Sequence, residues 1–336
     1  MLQFQNFTDA YVCLMKRLTT QYEHISRPRD MLVKELLGVS FSIENPRDRI
    51  PYVKDRNFAA SYMIAELLWY LSGNDSTEWI SNYSSFWSKI SDDGKTANSA
   101  YGARIFKPHE RIASTIDAVW TQWHYVVEEL VKDNDSRRAV IHIRSPQDSI
   151  LANLDVPCTL TLQFFLRNNR VHCVASMRSS DIILGLAYDV PAFTIFQEVL
   201  AIDLSLRLKR QIGLGRYTHI SNSLHLYERH FDMADRIVKS KDRSSPDGIM
   251  PVMPKNYLYA IHGLSKFEKA CREAKLSTDL FHVMKQITSF LEVQDDYWHD
   301  WARILGAHRA KKLGNEMMHD DLISETSFPG YRFFKK

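Results

Sequence analysis

Cysteine is scarce in this sequence. Only Cys13, Cys158, Cys173 and Cys271 occur, scattered without metal-type spacing. That argues against a disulfide framework and a cysteine-ligated metal, and it fits reduced thiols in a cytosol. No apolar run approaches the about twenty residues a membrane helix needs, so no membrane partner is expected. Charge of one sign is not in excess either: the net charge is +3, too small to predict nucleic-acid binding. Internal repeats and low-complexity tracts are absent. The opening MLQFQNFTDAY lacks a basic region followed by an apolar stretch, so no secretory signal is expected and a cytoplasmic location is. What remains is 336 residues, 45% hydrophobic and 25% charged, enough for one large domain or a domain with an appendage.

The richest stretch runs from Pro157 to Ala201. Cys158 heads an alternating strand, Asn168-Asn169 offers a tight turn that tolerates positive φ, and Val171 to Arg178 returns. A hairpin pairs its outer ends, which places Cys158 beside Arg178. A polar cluster follows (Ser179, Ser180, Asp181), then the Gly185 break. A helix from Asp189 or just after it carries Val190, Phe193, Phe196 and Val199 towards a core. A thiol, a guanidinium and a helix-entry carboxylate converge in this reading.

Elsewhere, residues 8–24 form a helix that Thr8 can cap, with Tyr11, Leu14, Met15 and Leu18 on one face. Asn57 to Leu71 is a strongly amphipathic helix bearing Glu66 near its end; burial there would demand partners for the carboxylate. The aromatics Trp79, Tyr83, Phe86 and Trp87 are core or a wall for a flat ring. Residues 114–132 make another helix, followed by Arg137-Arg138 and a strand. His225 and Tyr227 share strand parity and face one side. Lys239 to Pro254 is the natural boundary, giving 1–240 as the main domain and 241–336 as a helical C-terminal extension, with helices at 262–274, 277–293 and 296–313.

Five ordered blocks resemble the thymidylate synthase superfamily. They are Glu66-Leu-Leu-Trp-Tyr-Leu-x-Gly73; Tyr101-Gly102; Ser136-Arg137-Arg138; the central Pro157-Cys158, Gln163-Phe164, Arg178-Ser179-x-Asp181 and Leu184-Gly185; and His219-x(5)-His225-x-Tyr227. The resemblance runs roughly from Ala10 to Asp235. It implies an α/β (α+β) fold, a mixed β-sheet surrounded by helices, dimerising through the sheet. It also implies 5,10-methylenetetrahydrofolate as cofactor and a pyrimidine nucleotide as substrate, with no metal and no nucleic-acid partner.

The resemblance assigns roles residue by residue. Cys158 is the nucleophile, Glu66 holds a water and shuttles protons, and Tyr101 lies in the catalytic pocket. Arg178, Ser179 and one arginine of the Ser26-Arg27-Pro28-Arg29 turn bind phosphate; spacing does not choose between Arg27 and Arg29, and Arg27 is preferred. Arg137 and Arg138 clamp the phosphate of a partner subunit's nucleotide, so the homodimer shares its active sites. His225 and Tyr227 bind the sugar, while Asp181, Gly185 and Trp87 contact the folate.

Two positions depart from the thymidylate synthases. Thr159 replaces the histidine that usually follows the nucleophile. Asp189 replaces the asparagine that reads uracil, and resembles the aspartate of the deoxycytidylate hydroxymethyltransferases, found in phages and some antibiotic producers. An ionised carboxylate accepts from the N4 amino group of cytosine and from a protonated N3, but donates nothing to O4 of uracil. The expected activity is therefore C5-hydroxymethylation of dCMP, in a host cytoplasm if phage-encoded. The alternatives are C5-methylation of dCMP or dUMP, hydroxymethylation of dUMP or CMP, and a catalytically idle nucleotide or RNA binder. Asp189 as a mere helix cap is the bland alternative.

Overall fold

The computed structural model describes residues 1–108, 120–149, 153–240 and 248–333. Two compact units emerge. The first comprises Met1–Phe58 and Arg104–Ser245; the second comprises Ala59–Ala103 and Pro246–Lys336. A cut at residue 240 was expected; the second unit also takes in Ala59–Ala103.

The first unit is built on a mixed sheet with strand order β1-β3-β8-β6-β5-β4, where β1 is Leu2–Phe4, β3 Val33–Ile43, β4 Val140–His142, β5 Thr159–Arg167, β6 Arg170–Met177 and β8 Gly213–Tyr227. Two short strands branch off: β2 (His24–Ser26) pairs with β3, and β7 (Ser180–Asp181) pairs with β8. β5 and β6 form the expected hairpin, with Asn168 and Asn169 at φ 50° and 55°, the left-handed pair that two-residue turns require. Alternation then buries Leu162, Phe164 and Leu166 of β5 with Val171, Cys173, Ala175 and Met177 of β6 on one face.

Against β6 and β8 packs a helix, Leu186–Leu208, apolar on nearly every side and almost wholly buried. Its Gln197 amide donates to Val171 O at 2.8 Å and Gly215 O at 3.0 Å, serving carbonyls where the β6–β8 register shifts. The next residue, Glu198, accepts from Arg49 Nη2 at 2.6 Å, an ion pair with side chains 5% and 0% exposed. The first helix spans Phe7–Thr20 and is capped by Asn6, whose side chain accepts from Asp9 N at 2.8 Å. Thr8 was expected to cap. It is instead inside the helix, and its hydroxyl joins Ile50 O and Tyr52 N. Of the helix expected at 114–132, Gln122–Lys132 is observed, capped by Thr121; residues 114–119 lie outside the described ones, as do 241–247 of the expected boundary loop.

The second unit is helical. Ala60–Leu71, mostly apolar and buried, packs against Tyr257–Glu273 and Asp296–Lys312 around Trp69, Trp298 and Trp301. The helix expected at 277–293 is divided at Gln286 into Ser277–Lys285 and Ile287–Leu291. Among the described residues no helix is long and apolar enough to cross a membrane, and no His/Cys/Asp/Glu cluster could hold a metal.

Candidate active site

Cys158 lies just before β5, opposite Arg178 just after β6, as the hairpin register dictates. The Arg178 amide donates to Cys158 O at 2.9 Å. Its guanidinium turns onto the same segment: Nε donates to Pro157 O at 2.9 Å and Nη2 to Val156 O at 2.8 Å. The thiol is thus held beside a cation whose orientation is fixed by backbone carbonyls. Burial nevertheless raises the Cys158 pKa above its ordinary value, although Arg178 and Arg29 pull it down; Asp189 and Asp155 push it further up. The neighbouring cations are outweighed by burial. Thr159, the following residue, is fully buried, and its hydroxyl has no partner among the described residues.

Downstream, Asp181 Oδ1 accepts from Ile183 N at 2.8 Å, closing a turn, while Asp181 O accepts from Gly185 N at 3.0 Å. Gly185 stands in a tight place, where a side chain would push its neighbours by a few tenths of an ångström. A Cβ there would sit 3.1 Å from Asp181 O and 3.3 Å from Asp189 Oδ2. Beneath the turn lies the buried Arg56, which donates to Ile183 O and, at 3.4 Å, to Tyr188 Oη. The helix begins at Leu186 with Gly185 as its cap residue, so Asp189 stands inside the first turn. The capping alternative for Asp189 is excluded. Among the described residues, no hydrogen-bond donor reaches its carboxylate. Burial, with Asp181 nearby, pushes its pKa up to about 7.

β8 brings in the two residues expected to bind the sugar. His225 and Tyr227 face the same cleft, their rings 5.1 Å apart and edge to face. His219, by contrast, is sealed in the core between Ser180 Oγ and Tyr217 Oη, and burial lowers its pKa to about 3. The cleft, about 640 Å³, is lined by Arg29, Arg144, Arg178 and Ser179 along with His225 and Tyr227. Of the two arginines weighed for the Ser26–Arg29 turn, Arg29 lines the cleft and Arg27 does not. The reason is backbone geometry: Arg29 and Asp30 adopt φ 51° and 62°, turning the chain after Pro28.

Glu66, Tyr101 and Trp87 belong to the second unit. Glu66 is buried, and its Oε1 accepts from Tyr62 Oη at 2.6 Å and Tyr70 Oη at 3.3 Å, the partners its burial demanded. Tyr101 stacks on Tyr70 with centroids 5.3 Å apart. The neighbouring Gly102 must be glycine, because a Cβ would fall 2.1 Å from Tyr70 O. Trp87 is corrected as a stacking wall: it is buried edge-on against Trp69 and Phe86, and its indole donates to Tyr62 Oη at 3.1 Å. The exposed ring of that stretch is Phe86.

A family profile for thymidylate synthase matches residues 9–263. The chain belongs to the thymidylate synthase family. It is also 31% identical, over 224 residues, to a deoxyuridylate hydroxymethyltransferase of Bacillus phage SP01; the match covers 66% of this chain and 57% of that protein.

In this thymidylate synthase family member, sequence reasoning missed Arg144 and Glu35. Arg144 lies two residues beyond β4, and its residue type and spacing alone do not mark it out. Glu35 lines the cleft with its carboxylate held by Ser223 Oγ and, at 3.3 Å, by Ser26 Oγ; its alternation on β3 was the available signal. Arg137 and Arg138 are not brought into the cleft; they sit on the turn before β4. The residues of the first unit suit a pterin: one Asp181 oxygen accepts no bond from the described residues, and a pterin edge offers N–H donors.

Proposed function

We propose that this protein transfers a one-carbon unit to C5 of a pyrimidine deoxynucleotide monophosphate, with dCMP favoured and 5-hydroxymethyl-dCMP as product. The observation that carries this reading is Asp189. It is an aspartate inside the first helical turn, released from capping, with a carboxylate that no described group satisfies. Ionised, it accepts from N4–H and from N3–H as N3 gains a proton, and the second bond strengthens as charge develops.

Arg29, Arg144, Arg178 and Ser179 hold the phosphate, the guanidinium forks suiting a dianion. His225 and Tyr227 hold the sugar. Cys158 Sγ, as thiolate, adds to C6 and drives electron density onto C5. 5,10-Methylenetetrahydrofolate, when bound, supplies the carbon at the oxidation level of formaldehyde; Asp181 would hold its pterin. Glu66, oriented by Tyr62 and Tyr70, is the residue the family resemblance assigns to the water that completes a hydroxymethyl rather than a methyl group. Arg137 and Arg138 serve the nucleotide of a second copy in a homodimer that shares its sites. Ser179 keeps the residue of deoxynucleotide-using members, which favours dCMP over CMP.

A second reading, dUMP as substrate, has its own support. With its pKa near 7, a large fraction of Asp189 is neutral at physiological pH, and a neutral carboxyl donates to O4 and accepts from N3–H as an asparagine would. The phage relative is named for deoxyuridylate. An idle binder is disfavoured by the thiol and its pinned arginine.

Release of tritium from C5-labelled dCMP and dUMP tests the proposal. Wild type should release label only with the folate present, and Cys158→Ser should release none while still binding nucleotide. Label release by Cys158→Ser would overturn the mechanism, and none by wild type the function.

A further inference from the structure

The turn between Lys132 and Val140 is held at unusually many points. Glu129, 9% exposed in the last turn of the Gln122–Lys132 helix, accepts on one oxygen from Ser136 Oγ at 2.6 Å and from Arg138 Nε at 2.9 Å. Ser136 Oγ in turn accepts from Arg138 N at 3.1 Å. The Ser136 hydroxyl and the Arg138 cation hold the Glu129 carboxyl below its ordinary pKa, so it stays ionised. From β5, Gln163 Nε2 donates to Arg137 O at 2.8 Å, and Arg167 donates to Asp135 O at 2.9 Å and Asn134 O at 3.2 Å. Arg210 adds a bond to the Asn134 side chain at 2.5 Å.

Arg138 itself remains 69% exposed. Its Nε is drawn inward, and its two Nη groups bond to none of the described residues. The buried Glu129–Ser136 bond holds the turn, whereas the bond to the exposed Arg138 adds little stability of its own. It does reduce the freedom an arginine loses on binding an anion through its Nη edge.

We propose that Glu129 is a positioning residue for nucleotide binding in trans: it locks Arg138 so that the Nη edge is presented to the phosphate of a nucleotide bound by a second copy of this chain. The inference rests on the shared-site dimer proposed above. A charge-assisted bond of this kind is worth about tenfold in affinity. Glu129→Ala should therefore raise the KM for whichever of dCMP and dUMP turns over faster by about tenfold, with kcat at saturation unchanged. Glu129→Gln, which keeps one acceptor, should raise it less, and it carries the same test if the alanine variant fails to fold.

The deciding readout is a hybrid. Glu129→Ala subunits are exchanged with an excess of Cys158→Ser subunits, so the working thiol faces an arginine still locked by Glu129. KM should return to the wild-type value. A KM unchanged in the Glu129→Ala homodimer, or still raised in the hybrid, overturns the inference while leaving the dimer reading intact. Arg138→Ala mixed with Cys158→Ser reports on that reading separately: no recovered activity after subunit exchange would refute the shared site itself, and the inference with it.

Discussion

At Cys158, burial and two guanidinium groups act in opposite directions, and burial prevails. Arg178 limits that rise, so its removal should deepen it. Arg178→Met should slow alkylation of Cys158 by iodoacetamide at neutral pH severalfold, read by mass spectrometry of the Cys158 peptide. An unchanged rate would mean that Arg178 orients the segment without tuning the thiol. The identities of these groups were legible in the sequence because hairpin pairing places residue 158 opposite 178. The outcome of their competition was not, since it depends on how much water reaches the thiol. Arg144 escaped for a related reason: its significance comes from the cleft around it.

Among the elements, the β5–β6 hairpin formed as the Asn168-Asn169 turn and strict alternation dictated. The Leu186–Leu208 helix did not begin as expected. Aspartate is a strong cap signal, yet Leu186, Ala187 and Tyr188 are themselves helical, which moves Asp189 into the turn and frees its carboxylate for another task. The same helix carries the buried Glu198–Arg49 pair, in which Arg49 Nη1 already lacks a partner among the described residues. Removing one member strands a charge away from water. Glu198→Ala should destabilise the first unit by about 3–5 kcal/mol, seen as a lower urea midpoint, whereas a loss below about 1 kcal/mol would show that water reaches Arg49.

On the scale of the whole molecule, the pairing of Ala59–Ala103 with Pro246–Lys336 in one unit was beyond sequence reading, because it rests on long-range packing of the Ala60–Leu71 helix. Patterning located the C-terminal helices, but not that partnership. The mixed sheet and the family membership were legible, the latter because five blocks stand in one order. The central claim, one-carbon transfer to C5 with the base chosen by Asp189, meets its most direct test in turnover of dCMP against dUMP across neutral pH, with products identified by mass. Wild type should add one CH2O unit, its preference moving from dUMP towards dCMP as pH rises through about 7 and the carboxyl ionises. Asp189→Asn should favour dUMP at every pH. A preference for dCMP that survives in Asp189→Asn, or a wild-type preference indifferent to pH, would contradict the account.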